Sequence, residues 1–211
     1  IEIFCQVNLA DVNQYKYSSI VQVIEIINKM FEQKPTLIKR FKHKGDELAF
    51  IPKLDEMSFG EFVDLDLLLS DWETMDEAMA VLYRKIEHSH KNNYTIEAYD
   101  SDKTQDMKSM PLDVALSSLF FFGKFKQRVN ESHPALFGEQ SGGATNGAEA
   151  QLAEDFGWWT SFWTISQGNL IDFEKIEKLN FNACLTYLSF EKQKNEIEIK
   201  RIKNARQNRS Y

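Results

Sequence analysis

Residues 156–163 read Phe-Gly-Trp-Trp-Thr-Ser-Phe-Trp and hold three of the chain's four tryptophans. Aromatic surface at this density has to be covered, either by the rest of the chain or by a partner. The tract just before it, from Gly138 to Ala150, is built of small and polar residues and has almost no capacity to form a core. Four glycines fall within its first ten residues, which favours a flexible coil. No Gly-Lys-Ser/Thr follows and no dinucleotide spacing is present, so the tract reads as a linker over 138–150, not as a phosphate-binding loop.

Downstream, Leu152, Phe156, Trp159 and then Phe162 or Trp163 trace a helical stripe that ends at Gly168, a residue suited to a helix C-terminus. Within it Trp158, Trp159, Phe162 and Trp163 are the expected partner-binding anchors, because buried aromatics carry most interface energy. Asp172 suits the cap of a short helix with Phe173, Ile176 and Leu179. A final long helix is expected from near Asn180, carrying Phe181, Leu185 and Leu188. Beyond Phe190 it turns charged, with Ile197, Ile199 and Ile202 as its only large apolar residues.

Upstream, Ser18 or Ser19 suits the cap of a helix running to about Gln33. Ile20, Ile24, Ile27 and Phe31 share one face, widened by Val23 and Met30, so this helix is expected to be well buried. Lys34-Pro35 ends it. Leu37–Phe41 and Leu48–Ile51 flank Lys44-Gly45-Asp46 and read as a small hairpin. Ser58-Phe59-Gly60-Glu61 fits the capping box and opens a helix through Leu69. A second box, Thr74 to Glu77, opens a helix expected to reach about Glu87, with Trp72, Met75, Met79, Leu82 and Ile86 on one face. Tyr94–Tyr99 alternates like a strand or extended arm. Ser109 and Pro111 suit the start of a long helix to about Glu131. Three consecutive phenylalanines, 120–122, require that helix to be covered on more than one side. His133-Pro134 stops it.

The length of 211 residues allows one large domain or two small ones, and 43% apolar against 27% charged residues is ordinary for a globular chain. The formal charge of −7 argues against non-specific nucleic-acid binding by the chain as a whole. The charge is uneven: residues 191–209 carry +4, leaving −11 for the remainder. Lys200, Arg201, Lys203, Arg206 and Arg209 are therefore the candidates for contact with nucleic-acid phosphates or an acidic partner. A solvated, dipole-favoured helix end explains the same residues.

Chemistry is harder to find. The cysteines, Cys5 and Cys184, are far apart without a metal-ligand neighbour and read as reduced core thiols. His88 and His90 sit at an expected helix end, His43 in a Lys-rich hairpin exposed to solvent, and His133 at a helix stop, so no metal site is expected. Glu61, Asp64, Asp66 and Asp71 form an acidic run, but Glu61 belongs to the capping box. Asp64 and Asp66 fall on different helix faces as solvated or capping groups. No catalytic residue and no cofactor are expected. No apolar run approaches the ~18 residues of a membrane span, and signal-peptide features are absent, so a cytoplasmic or virion-type compartment is expected rather than a secreted one.

Three stretches carry a family resemblance: Phe59-Gly60-Glu61-Phe62-Val63-Asp64-Leu65-Asp66, Ala78-Met79-Ala80-Val81-Leu82-Tyr83-Arg84 and Met110-Pro111-Leu112-Asp113-Val114-Ala115. Together with Trp159, Ile165-Ser166-Gln167-Gly168-Asn169 and Leu185-Thr186-Tyr187-Leu188-Ser189, they resemble tailed-bacteriophage morphogenesis proteins over roughly residues 58–190. In plan the chain is similar to tail assembly chaperones, which have a helical N-terminal domain, a flexible joint and a short helical extension that binds another tail component. The hairpin-like segment at 37–51 and the aromatic density depart from a minimal chaperone and keep a neck, portal-vertex or internal virion component in view.

The expectation is thus a mainly α protein. Residues 1–137 form a multi-helix N-terminal domain with a minor β hairpin, 138–150 a linker, and 151–211 a helical docking segment with a basic tail. Its expected role is non-enzymatic, through contacts with other phage structural proteins. The alternative is a nucleic-acid-associated virion protein using the basic C-terminal helix.

Overall fold

A computed structural model describes residues 15–32 (backbone alone for 26–32), 36–91, 93–102, 105–138, 151–152 and 155–207. The structure is mostly helical with a small four-stranded antiparallel sheet, and it divides into two compact units, residues 1–37 and 38–211. In the first, α1 spans Tyr17–Glu32. It begins ahead of both serines expected to cap it; of the face expected to be buried, Ile24 is 42% exposed, and the side chains of Ile27, Met30 and Phe31 lie outside the described residues.

The second unit starts with the expected hairpin. Strands β1 (Arg40–His43) and β2 (Asp46–Phe50) pair antiparallel through a two-residue turn at Lys44-Gly45. Both turn residues have positive φ, 51° and 95°, the geometry whose twist matches paired strands. Helix α2 (Phe59–Leu68) carries the capping box as read: the Ser58 hydroxyl accepts from Glu61 N–H at 3.2 Å, and Glu61 Oε2 accepts from Ser58 N–H at 2.7 Å. The second box does not form. Thr74 Oγ1 donates to the carbonyls of Leu68 and Asp71 instead, and Asp71 caps the 3-10 turn Trp72–Thr74.

Helix α3 (Met75–Leu82) is five residues shorter than its periodicity implied, because the chain passes directly into strand β3 (Tyr83–His90). Long-range pairing overrides local pattern here. Phe50 pairs with Tyr83 in register, and the fully buried Tyr83 donates its hydroxyl to Ile38 O at 2.8 Å. Strand β4 (Asn93–Ile96) completes the order β1-β2-β3-β4, with a bulge at Ile86/His88. The single hairpin of the sequence reading is therefore half of a sheet. His88 and His90 lie on β3, not at a helix end. Nor is His43 solvated: it is buried on β1, with Nε2 2.9 Å from Asp106 O.

Helix α4 (Leu112–Ser132) covers the sheet, with Phe121 meeting Phe50 edge-on at 5.7 Å. Of the three consecutive phenylalanines only Phe122 is fully buried; Phe120 and Phe121 keep about 40% exposure, so coverage is essentially one-sided. His133 ends α4 and leads into the short α5 (Pro134–Phe137). Its buried ring lies 3.0 Å from Asn182 Oδ1 and 3.3 Å from Ser189 Oγ, tying this corner to the last helix.

After the Gly-rich segment, most of which (139–150) lies outside the described residues, come α6 (Trp159–Ile165), α7 (Phe173–Glu177) and α8 (Phe181–Gln207). These pack onto α2. Phe59 N–H donates to Leu179 O, Phe181 N–H to Met57 O, and Asn180 Nδ2 to Asp55 O at 2.8 Å. The Asn180 carboxamide oxygen caps α8 by accepting from the amides of Asn182 and Ala183. Gly60 permits the close approach of α7, since a Cβ there would stand 3.3 Å from Glu177 Cβ. Phe181 stacks on Phe62 at 5.0 Å and meets Phe125 of α4 edge-on, so one aromatic core joins residues on both sides of 138–150. Cys184 is a free thiol within it, and burial pushes its pKa up to about 11.

Candidate interaction face

The aromatic octapeptide divides by direction. Gly157, at φ +48°, turns the chain just before α6, and the residues that follow alternate between core and solvent. Trp158 and Phe162 are four apart and share the inward side. Trp158 sits edge-on to Phe59 (5.7 Å) and Phe62 (5.8 Å), and its indole N–H donates to Asp66 Oδ2 at 2.9 Å. Phe162 is buried, 5.0 Å from Phe59 and 5.4 Å from Phe173. These two expected partner anchors are spent inside their own chain, because α2 offers both an aromatic bed and a carboxylate for the indole.

Trp159 and Trp163 form the complementary pair on the outward side, at 50% and 53% exposure. Each is held along one edge. Trp159 leans on Phe173 at 4.9 Å, and the Trp163 ring lies over Gly168, where an added Cβ would come within 3.1 Å of it. Gln167 (φ +53°) and Gly168 (φ +84°) reverse the chain, and Gly168 N–H donates to Trp163 O at 3.0 Å, closing the helix end as expected. The return loop is fixed by the Asn169 side chain, which accepts from Ile171 N–H and donates to Asp172, and by the Lys175–Asp172 pair at 2.6 Å. Asp172 thus orders this loop without capping α7. The loop, running between the two tryptophan contacts, presents Leu170 and the 82%-exposed Ile171. The result is an apolar face on a rigid support, of the kind that marks an interaction site.

The acidic run is committed elsewhere. Glu61 Oε1 accepts from Arg84 Nη2 at 2.5 Å, and both side chains are nearly buried. Asp64 accepts the Tyr99 hydroxyl, and Asp66 holds Lys126 as well as Trp158. Asp64 and Asp66 do diverge to different partners, but neither is merely solvated. Burial first, and the Asp64 carboxylate second, push the Tyr99 phenol far above its ordinary pKa. Nothing in the residue spacing could show Glu61–Arg84 or Trp158–Asp66, whose partners lie 23 and 92 positions apart. Among the described residues no group of three or more His, Cys, Asp or Glu could hold a metal ion, and no helix is long and apolar enough to cross a membrane.

The basic candidates Lys200, Arg201, Lys203 and Arg206 are exposed on the outer half of α8, and Arg209 lies outside the described residues. They do not form one stripe: Arg201 and Lys203, two apart, point about 200° from each other around the helix. No protein-family model, no curated protein and no solved structure matches the chain.

Proposed function

We propose that this chain is a non-enzymatic assembly protein that works by protein–protein contact, using the Trp159–Trp163 face as its docking surface. The observation that carries the reading is the split within one helix. Trp158 and Phe162 fasten α6 to the core while Trp159 and Trp163 are left half exposed beside Leu170 and Ile171. Rigid aromatic anchors lose little conformational entropy on binding and carry a large share of interface energy. The setting proposed for it, as a component or chaperone of tailed-bacteriophage assembly in the virion or host cytoplasm, rests on the sequence resemblance over residues 58–190.

The test is co-purification from phage-producing cells with two baits, the native chain and the Trp159→Ser/Trp163→Ser chain. The native bait is expected to retain head, neck or tail structural proteins and the variant to lose them. Equal capture by both baits removes the face from the reading. Absence of every particle protein from the native bait removes the phage setting.

A further inference from the structure

Helix α8 is longer than the body it rests on. Its inner half is buried through Phe181, Cys184, Leu185 and Leu188, whereas every side chain from residue 193 to 207 is exposed. Those fifteen residues extend about 22 Å. The packed inner half supplies the helix nucleus, and a partner along this outer half would cover the apolar side chains that it leaves in water.

The outer half carries the mark of such contact. The buried stripe at 181, 185 and 188 continues at the same 3–4 spacing through 192 and 195 to Ile199 and Ile202. The side of α8 that packs on its own body therefore becomes apolar again beyond the body's edge, at two isoleucines about half exposed. Because α8 is one uninterrupted helix, this overhang cannot fold back onto the Trp159–Trp163 face of its own chain. The two unpartnered apolar surfaces also differ in charge: residues 151–179 sum to −3 and residues 191–207 to +3.

We propose that the outer half of α8 docks on the Trp159–Trp163 face of a second copy of this chain, in a reciprocal two-fold exchange. The proposal rests on the reading of that face as a docking surface and names its occupant. Each copy offers one arm and one face, so a closed pair satisfies both. A stable complex buries ~1,600 Å², so each of the two arm–face contacts has to supply about half of that. A phosphate-binding role for Lys200, Lys203 and Arg206, which share one side of the arm, is the weaker reading because it leaves Ile199 and Ile202 unexplained, and the test below separates the two.

The test is light scattering and sedimentation of the full chain from low micromolar to submillimolar concentration. Three versions are compared: native, an arm variant (Ile199→Ser/Ile202→Ser/Lys203→Glu) and a face variant (Leu170→Lys/Ile171→Lys). All of these substitutions are at exposed side chains, and unchanged melting curves confirm folding. The native chain is expected to dimerise, less tightly at high salt. Each variant alone is expected to lose at least about 10-fold in affinity, while mixing the two recovers a heterodimer through the one intact arm–face contact. A native chain that is monomeric throughout overturns the proposal, and salt-dependent binding of that monomer to duplex DNA, lost in the arm variant, would reassign the arm. Loss of dimer in the face variant alone overturns the arm but keeps the face as a docking surface. Loss in the arm variant alone overturns the arm–face contact and leaves the docking reading of the face to the co-purification test. The heterodimer is expected to be weaker than the native dimer, and a mixture no more associated than either variant alone overturns the reciprocal arrangement.

Discussion

Glu61 joins a helix cap to a nearly buried ion pair, and its removal is a sharp test of the fold's energetics. Its two carboxylate oxygens are separately committed, Oε2 to the Ser58 amide at 2.7 Å and Oε1 to Arg84 Nη2 at 2.5 Å. The two side chains are 9% and 12% exposed, and Arg84 Nε is buried without a hydrogen-bond partner. Glu61→Ala would therefore strand a buried guanidinium. Breaking a buried pair this way costs about 3–5 kcal/mol, and losing half a capping box adds at most ~1 kcal/mol. A total of about 3–6 kcal/mol is a large fraction of the roughly 5–15 kcal/mol that holds a domain. The double variant Glu61→Met/Arg84→Met removes both charges and keeps apolar volume, so it is expected within about 1 kcal/mol of the native chain. Urea unfolding followed by tryptophan fluorescence and far-ultraviolet circular dichroism gives both values from the midpoints, with equal slopes as the two-state check. A loss below about 1 kcal/mol for Glu61→Ala, or a double variant no more stable than the single, would refute the reasoning.

Gly168→Ala puts a Cβ at φ +84° and 3.1 Å from the Trp163 ring; it is expected to cost about 1–2 kcal/mol and to shift Trp163 emission, whereas an unchanged spectrum would mean the ring is not held there. The pH dependence is expected on the alkaline side. Burial, opposed in part by the hydroxyls of Ser118 and Ser117, pushes the Tyr83 phenol up to about 12. A folded value above the unfolded ~10 means its contribution is complete below pH ~10 and is lost as pH rises toward 12, amounting to about 2–3 kcal/mol. Urea midpoints measured across that range should fall, and fall less steeply in Tyr83→Phe. Identical slopes would assign the loss to other groups, Tyr99 first among them.

What could be read from the sequence follows the distance over which each signal acts. The Ser58–Glu61 capping box, the Lys44-Gly45 turn, the stop at His133-Pro134 and the Gly168 helix end all depend on residues within five positions of one another, and all are present. Strand β3 was hidden because Tyr83–His90 continues a helical pattern, and only pairing with Phe50 on one side and β4 on the other makes it extended. The burial of His43 and His133 depends on Asp106 and on Asn182 and Ser189, residues 49 to 63 positions away, and composition alone cannot place them.

The site shows the same limit in a more instructive form. Helical spacing grouped Leu152, Phe156 and Trp159 with Phe162 or Trp163, but α6 begins only at Trp159, after the turn at Gly157; of the two alternatives Trp163 shares the exposed side with Trp159, and Phe162 is buried. Periodicity identifies which side chains share a face but carries no information on which way that face points. The direction is set by α2, where Phe59 and Phe62 form a bed and Asp66 waits for an indole N–H one residue out of phase with the stripe. Rotating α6 by about 100° to bury Trp159 and Trp163 would turn Trp158 and Phe162 outward and would break both the Trp158–Asp66 hydrogen bond and the packing of Phe162 on Phe59. The Trp158–Asp66 contact thus adds a polar tie to the aromatic packing that holds Trp158 and Phe162 inward. Trp158→Phe would remove that tie without emptying the core.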